Sequence, residues 1–282
     1  MSQLHLHFDG DLTRNHTVSL RTLGNSLFHL QAAVNRAHLD IKYGEVWKGA
    51  RLSQEDYVLT ELWTLPPKDG GYIIEFIEKS PRIKQTLTRI VNAITPAVEK
   101  AKSAALQNSG TLVEQSERRA EQVRVGAIEP STFDKFLPTA AHNPYGDRAI
   151  NKEIDQLVGI LRNPNAGNST LELKIATSQT NTFNFNRAKS ENFHSLVSKR
   201  LLGEPLVFSV QVIELDSKNK TAKVMNITTE RTIKLQYADD VAFKQIKPFL
   251  GTGEIMNFVG GPVYEGGAFD AKGGDVFYIG PL

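Results

Sequence analysis

The chain of 282 residues contains no cysteine. Disulfides, thiolate zinc sites, iron–sulfur clusters and cysteine nucleophiles are therefore excluded, and the absence is typical of proteins from a reducing cytosol. No apolar stretch approaches the ~20 residues that a membrane-spanning helix requires, and the first residues do not resemble a secretory signal. We therefore expect a cytoplasmic protein with no membrane partner.

No sign of charge dominates, because 33 basic side chains stand against 31 acidic ones and leave a net charge of +2. Such a balance neither requires nor excludes nucleic acid, since a local basic surface can exist within a near-neutral total. The phosphate-binding patterns Gly-x-Gly-x-x-Gly and Gly-Lys-Ser/Thr are absent from the sequence. We therefore expect no cofactor.

The N-terminal part of the sequence contains alternating and helical patterns. Residues 4–8 alternate as a strand. Residues 20–41 carry the apolar stripe of one helix, with Thr17 or Ser19 as its N-cap and an end near Gly44. Residues 57–65 and 72–77 favour two strands joined by a glycine-rich turn. A second helix is expected to follow, with a kink or break near Pro96. These elements predict a β-α-β-β-α module over residues 1–125.

The rest of the chain is predicted to be mostly β. Residues 126–168 are interpreted as a connector followed by a helix. Residues 169–282 contain short strands separated by turns, with helical insertions, which predicts a small β-barrel at the C-terminal end. At this length two domains are expected, and the fold class is predicted to be α+β.

The opening segment "LHLHFDG" places His5 and His7 on one face of a strand, with Asp9 at its end. Strand-borne His-x-His can hold a metal ion, as in metal-dependent hydrolases. Such a site needs further ligands, and none of the other five histidines follows a strand beside a carboxylate. The water-facing side of a half-buried strand explains the pattern more simply, and a metal-dependent hydrolase is kept as the weaker alternative.

The segment "TLELKIAT" contains Glu172 and Lys174 in the Glu-x-Lys arrangement of a Mg²⁺-dependent nuclease strand. In such enzymes the carboxylate holds the metal and the lysine stabilises charge at the phosphate. The required upstream acid has one candidate at a suitable distance, Asp155, which falls within an apparent helix. An amphipathic strand accounts for the same alternation, so both interpretations stay open.

Aromatic and basic residues are interleaved between residues 183 and 200. The candidate nucleic-acid-binding residues are Phe183, Phe185, Arg187, Lys189, Lys199 and Arg200. Aromatic side chains beside cations hold single-stranded nucleic acid by stacking and phosphate contact. The alternation of Phe183 and Phe185 equally describes a strand that packs its core face.

Two longer stretches carry a resemblance. "LHFDGDLTRNHTVSLRTLGNSLFHLQAAVNRAHLDIKYGEVWKGARL", followed by "GGYIIEF", resembles the N-terminal region of a group of uncharacterised bacterial proteins, a domain of unknown function. "VQVIELDSKNKTAKVMNI" resembles part of the small β-barrel that ends such chains. The resemblance implies no catalytic residues. It implies a link to mobile elements or anti-phage defence.

No catalytic constellation in the sequence is complete. The sequence therefore favours a non-enzymatic interaction protein that binds a protein partner, nucleic acid or both. A Mg²⁺-dependent nuclease built around Glu172 and Lys174 is the main alternative, and the sequence leaves the oligomeric state open.

Overall fold

The computed structural model of the chain describes residues 3–44, 46–66, 72–77, 81–103, 110–140 and 145–282. Helices and strands are both abundant, which confirms the α+β prediction. The strands are β1 (Gln3–Asp9), β2 (Thr13–Arg14), β3 (Thr17–Val18), β4 (Trp63–Thr64), β5 (Tyr72–Ile77), β6 (Ser131–Thr132), β7 (Thr170–Ala176), β8 (Thr180–Phe185), β9 (Arg200–Leu202), β10 (Leu206–Asp216), β11 (Thr221–Asn226), β12 (Arg231–Gln236), β13 (Met256–Glu265) and β14 (Val276–Pro281). The α-helices are α1 (Leu20–Tyr43), α2 (Gln54–Thr60), α3 (Pro81–Ser103), α4 (Leu112–Arg124), α5 (Phe133–Ala140), α6 (Tyr145–Val158), α7 (Arg187–Ser198) and α8 (Asp240–Ile246).

The chain forms two compact units, and each is assembled from separated stretches of sequence. The first unit comprises Met1–Val46, Ala50–Leu106 and Gly146–Ser198, and the second comprises Trp47–Gly49, Gln107–Tyr145 and Lys199–Leu282. This division differs from the predicted boundaries after residues 125 and 168. The reason is that β7, β8 and α7 complete the first unit, although they follow the predicted connector in sequence.

The first unit is built on a five-stranded sheet with the order β4-β5-β1-β7-β8, in which every neighbouring pair is antiparallel. Leu4, Leu6 and Phe8 of the central strand alternate with polar residues and are almost fully buried. The helices pack on this apolar face, because α1, α3, α6 and α7 contribute to the same core through Leu30, Leu87, Ile154 and Phe193. The opposite face of β1 carries the histidines.

The long first helix follows its sequence signals. Ser19 is the N-cap, and its side chain accepts a hydrogen bond from the Thr22 N–H. Gly44 ends the helix with a φ of 71°, in the left-handed region that glycine adopts without strain. The predicted end near Gly44 and the Ser19 alternative for the N-cap are thus confirmed.

The predicted strand over residues 57–65 is wrong in its first part. Residues 54–60 form α2, which begins at a capping box where the Ser53 hydroxyl accepts from the Asp56 N–H and the Asp56 carboxylate accepts from the Ser53 N–H. Only Trp63 and Thr64 remain as strand β4. The local hydrogen bonds of the cap outweigh the β propensity of the tyrosine, valine and threonine in this stretch.

The second long helix, α3, runs from Pro81 to Ser103 and continues through Pro96. Helix α4, near the end of the predicted N-terminal module, begins at a capping box that Thr111 and Glu114 form. Residues 126–168, interpreted as a connector followed by a helix, contain helices α5 and α6. Within the described ranges, no helix has both the length and the apolar character needed to cross a bilayer.

The second unit contains the predicted small barrel, which is closed and has five strands. β10 pairs with β11, β11 with β12, β12 with β14, β14 with β13, and β13 returns to β10. The β12–β14 pair is parallel and the others are antiparallel. Helix α8 connects β12 to β13. A five-stranded Greek-key barrel with this connectivity is an OB-fold barrel, and Phe208, Val224, Leu235 and Phe258 fill its interior.

Candidate functional site

The outward face of β11 and β12 carries a row of polar side chains. Along the two strands, Ala222, Val224, Ile233 and Leu235 are buried in the barrel, so the residues between them point outward. The outward residues pair across the strands as Thr221 with Gln236, Lys223 with Lys234, and Met225 with Thr232. Two lysines therefore lie directly opposite each other on an exposed strand pair.

The two lysines differ in their surroundings. Lys223 Nζ lies 3.1 Å from Glu214 Oε1 on β10, whereas Lys234 has no ion-pair partner among the residues that the structure describes. Like charges directly opposite each other in a sheet are unfavourable. An anion placed over this pair would relieve the repulsion, so the face is electrostatically suited to a phosphate or carboxylate ligand.

Residues Trp47–Gly49 also belong to this unit and lie on the barrel. The Lys48 N–H donates to Asp270 Oδ2 at 2.7 Å. The same buried carboxylate accepts the N–H groups of Lys272 and Gly273 through Oδ1, both at 3.0 Å. The Lys48 ammonium lies 2.6 Å from Asp275 Oδ1. These bonds fix the three residues against the loop between β13 and β14.

Trp47 adds an aromatic ring to this part of the barrel. The Arg231 guanidinium lies 5.8 Å from the ring centroid, and the Lys272 ammonium lies 5.2 Å from it. Both distances are within the range of cation–π attraction. The indole is half-buried, so its position is set by protein contacts while part of its surface stays accessible.

A cleft of about 380 Å³ is lined by Lys48, Lys223 and Lys234 among other residues. Its walls come from the ends of β10, from β11 and β12, and from the β13–β14 loop, with Lys48 at one side. Arg231 and Lys272, which lie within cation–π distance of Trp47, each adjoin a cleft residue in sequence, namely Thr232 and Gly273. The cleft lining thus combines the lysines with threonine hydroxyls and with the carboxylates of Glu214, Asp216 and Asp275. Together with Trp47, which precedes Lys48 in sequence, the lysines provide the cations and the aromatic ring that bind a backbone phosphate and a flat base.

The sequence indicates the two lysine-bearing strands of this site but does not show that their lysines lie opposite each other. "TAKVMN" and "RTIKLQ" alternate clearly, and each has its lysine at an outward position. The pairing register that sets Lys223 opposite Lys234 is a tertiary fact. Trp47 gave no signal, because it stands far from the barrel in sequence.

The six predicted nucleic-acid-binding residues are divided between the two units. Phe183 and Phe185 are 8% and 3% exposed and belong to the core of the first unit, where Phe185 packs edge-on against Phe193. Core packing therefore explains their alternation, and neither ring offers an open face for stacking. Arg187 pairs with Glu191 on the surface of α7.

The other three residues have separate surroundings. The Lys189 ammonium donates to the Asn184 carbonyl at 3.2 Å. Lys199 and Arg200 lie in the second unit, where Arg200 faces Glu265 at 3.6 Å and Asp275 at 3.9 Å. Nucleic-acid binding by the whole set stays a prediction.

His5 and His7 lie on the water-facing side of the first sheet, with ring centroids 6.3 Å apart. Burial lowers the pKa of His5, and the charges of Glu172 and Glu75 oppose that effect. Asp9 is exposed at the strand end, where Oδ1 accepts the Gly10 N–H. In the described part of the chain, no three His, Asp or Glu side chains are grouped to hold a metal ion.

Glu172 and Lys174 lie on the same side of the sheet as the histidines, with Glu172 Oε1 3.8 Å from His5 Nδ1. Asp155 does not join them. Helix α6 packs on the opposite face of the sheet, and the buried Asp155 carboxylate binds Arg162 at 2.8 Å and His194 at 2.9 Å. The acid that the nuclease hypothesis drew from α6 is thus engaged elsewhere.

Comparison with protein-family models, with curated proteins and with solved structures found no match.

Proposed function

We propose that the protein binds single-stranded nucleic acid across the β11–β12 face of its barrel. The barrel topology supports a binding role at this face, since OB-fold barrels bind oligonucleotides and oligosaccharides through their second and third strands and adjacent loops. A fold alone does not define a function. The proposal therefore depends on the residues of the cleft.

The observation that carries the proposal is the opposed pair Lys223 and Lys234 on this face. Protein carboxylates neutralise these two adjacent cations only in part. The pair can therefore bind the regularly spaced phosphates of a nucleic-acid backbone. Trp47, whose ring has Arg231 and Lys272 within cation–π distance, is the proposed stacking surface for a base, and base stacking distinguishes a single strand from a simple polyanion. The proposed role is binding, with no reaction assigned to the cleft.

A charge-reversal experiment tests the lysine pair. The variant K223E/K234E is compared with K244E/K247E, which makes the same change in net charge at exposed positions outside the cleft. Affinity for labelled oligothymidylate and oligouridylate is measured by fluorescence anisotropy over a salt series. Each phosphate contact contributes about 0.7 to the slope of log K against log salt for single strands. We expect the cleft variant to lose about 1.4 of that slope and the control to keep it.

The tryptophans allow a second measurement on the same site. The chain has two, Trp47 and Trp63, so a W63F variant leaves Trp47 as the sole indole emitter. Stacking of a base on Trp47 should quench this emission as oligothymidylate is added. Binding that is insensitive to salt, or that leaves both the emission and the K223E/K234E affinity unchanged, would reject the proposed face.

A further inference from the structure

Strand β8 forms one edge of the five-stranded sheet in the first unit. It pairs with β7 on one side, and among the described residues no strand pairs with its other side. The strand "TNTFNF" contains neither a proline nor a charged residue, although these are the usual devices that keep an edge from accepting another chain. The edge is therefore competent to pair.

The phase of the β7–β8 ladder identifies the outward backbone groups. The Thr177 N–H donates to the Gln179 carbonyl at 3.0 Å, and hydrogen-bonded pairs recur at every second residue of an antiparallel ladder. By this phase, Asn181 and Phe183 bond to β7, while Thr182 and Asn184 direct their N–H and C=O groups away from it. The bond from Lys189 to the Asn184 carbonyl agrees with this assignment.

A pocket of about 320 Å³ opens beside this edge, between β8, α3 and α7. Its floor is apolar and includes Phe183, Phe193 and Val98, whereas Asn181 and Asn192 stand among its polar lining. The volume is at the lower end for ligand pockets. It suits one or two side chains better than a complete cofactor.

The charge at the pocket favours an acidic partner. Lys102 and Lys189 both line it. Lys102 is paired with Glu99 at 2.7 Å. The Lys189 ammonium donates to the neutral Asn184 carbonyl, and no acid in the described part of the chain forms an ion pair with it. A carboxylate on a bound segment would neutralise it.

We propose that this edge binds an extended peptide segment of a partner protein, which adds to the sheet as a sixth strand. One apolar side chain of the segment enters the pocket, and an acidic residue beside it meets Lys189. Strand addition of this kind takes its affinity from main-chain hydrogen bonds and its specificity from pockets for alternate side chains. The site lies in the first unit and does not depend on nucleic-acid binding by the barrel.

The test removes a single outward N–H. Proline at residue 182 removes the Thr182 N–H without taking a bond from the β7 ladder, a position that edge strands tolerate. T182V keeps the N–H and is the matched control. A displayed library of random peptides is selected on the full-length protein, and the enriched peptides are titrated against each variant. We expect the selected peptides to alternate apolar and polar residues and to contain an acidic residue. Their affinity should be about tenfold lower for T182P and the same as wild type for T182V.

Two further variants cover the case in which T182P fails to fold. N192W places a large side chain at the pocket mouth from an exposed position on α7, and K189E reverses the rim charge. Each should weaken the same peptides about tenfold or more. A selection that yields no peptide sensitive to these variants overturns the proposal. A wild-type dimer that N192W or T182P converts to monomer also overturns it, because a second copy of the chain would then fill the edge.

Discussion

At the scale of single residues, burial decides whether a charged side chain holds the fold together or is accessible to a ligand. Asp56 is fully buried and lies 2.8 Å from His38 Nε2 and 2.7 Å from Lys42 Nζ. Its second oxygen accepts from the Ser53 hydroxyl and from the Tyr43 hydroxyl. This carboxylate ties α2 to α1. Lys223 and Lys234, by contrast, are exposed and add nothing to the core. Glu214 pairs with Lys223 only at the surface, so both ammonium groups can reach a ligand.

The environment of Asp56 predicts a pH-dependent stability. Burial alone would raise the pKa of Asp56, but hydrogen bonds from Lys42, His38 and Ser53 outweigh it and hold the pKa well below the ordinary value of 3.8. The unfolded chain therefore binds the proton more readily than the folded one. The stabilisation is present above pH 3.8 and is lost as the pH falls through the lower, folded value.

We expect Asp56→Asn to lower the free energy of unfolding by about 3 kcal/mol near neutral pH, since it removes one member of a buried ion pair. The difference in unfolding free energy between D56N and wild type should narrow in urea titrations as the pH falls below about 4. Glu121→Gln is the control, because its pair with Arg124 is exposed and is worth about 0.5 kcal/mol or less. If D56N lowers the free energy of unfolding by the same amount at every pH, the lowered pKa of Asp56 would be contradicted.

At the scale of elements, caps and glycines set where the helices begin and end. α1 shows this most clearly, because its two glycines occupy opposite situations. Gly24 lies within the helix, and an added Cβ would meet no atom within 4 Å. Gly44 sits at the C-cap with a positive φ. The same residue type weakens the helix at the first position and ends it at the second.

The two substitutions to alanine should therefore have opposite signs. Gly24→Ala is expected to stabilise the protein by up to about 1 kcal/mol through helix propensity. Gly44→Ala is expected to destabilise it by about 1 kcal/mol, since a residue with a Cβ is strained in the left-handed region. Urea denaturation of the two variants side by side gives the free energies of unfolding. Equal changes at both positions would contradict the role of Gly44 as the C-cap of α1.

At the scale of the whole molecule, the sequence order of the elements does not match their grouping. β1 at the N-terminus pairs on one side with β5 and on the other with β7, which is more than 150 residues further along. Leu171, Leu173 and Ile175 of β7 are fully buried in the core that β1 begins. The first unit is thus incomplete until β7, β8 and α7 have been added.

A truncation series tests this grouping. A chain that ends at residue 168, the predicted boundary, lacks the partner of β1 and the buried β7 side chains. We expect it to show no cooperative unfolding transition by circular dichroism. A chain that ends at residue 198 keeps every stretch of the first unit and should unfold cooperatively. A cooperative transition in the shorter fragment would show that β7 is dispensable.

The sequence by itself determined the local features. The alternation of residues 4–8, the Ser19 and Gly44 limits of α1 and the strands of the C-terminal barrel follow from patterns within a few residues of one another. Where two local tendencies competed, as in residues 57–65, hydrogen bonds at the Ser53 cap decided the outcome, and no periodicity records them.

The features that depend on contacts between distant segments of the chain were decided only by the tertiary structure. It placed Phe183 and Phe185 in a core, set Lys223 opposite Lys234 through the strand register, and fixed Trp47 on a barrel whose strands begin far along the chain. The physical reason is that register and contact between distant segments depend on packing and hydrogen bonding in three dimensions. The candidate cleft and the open edge of β8 both arise at that level.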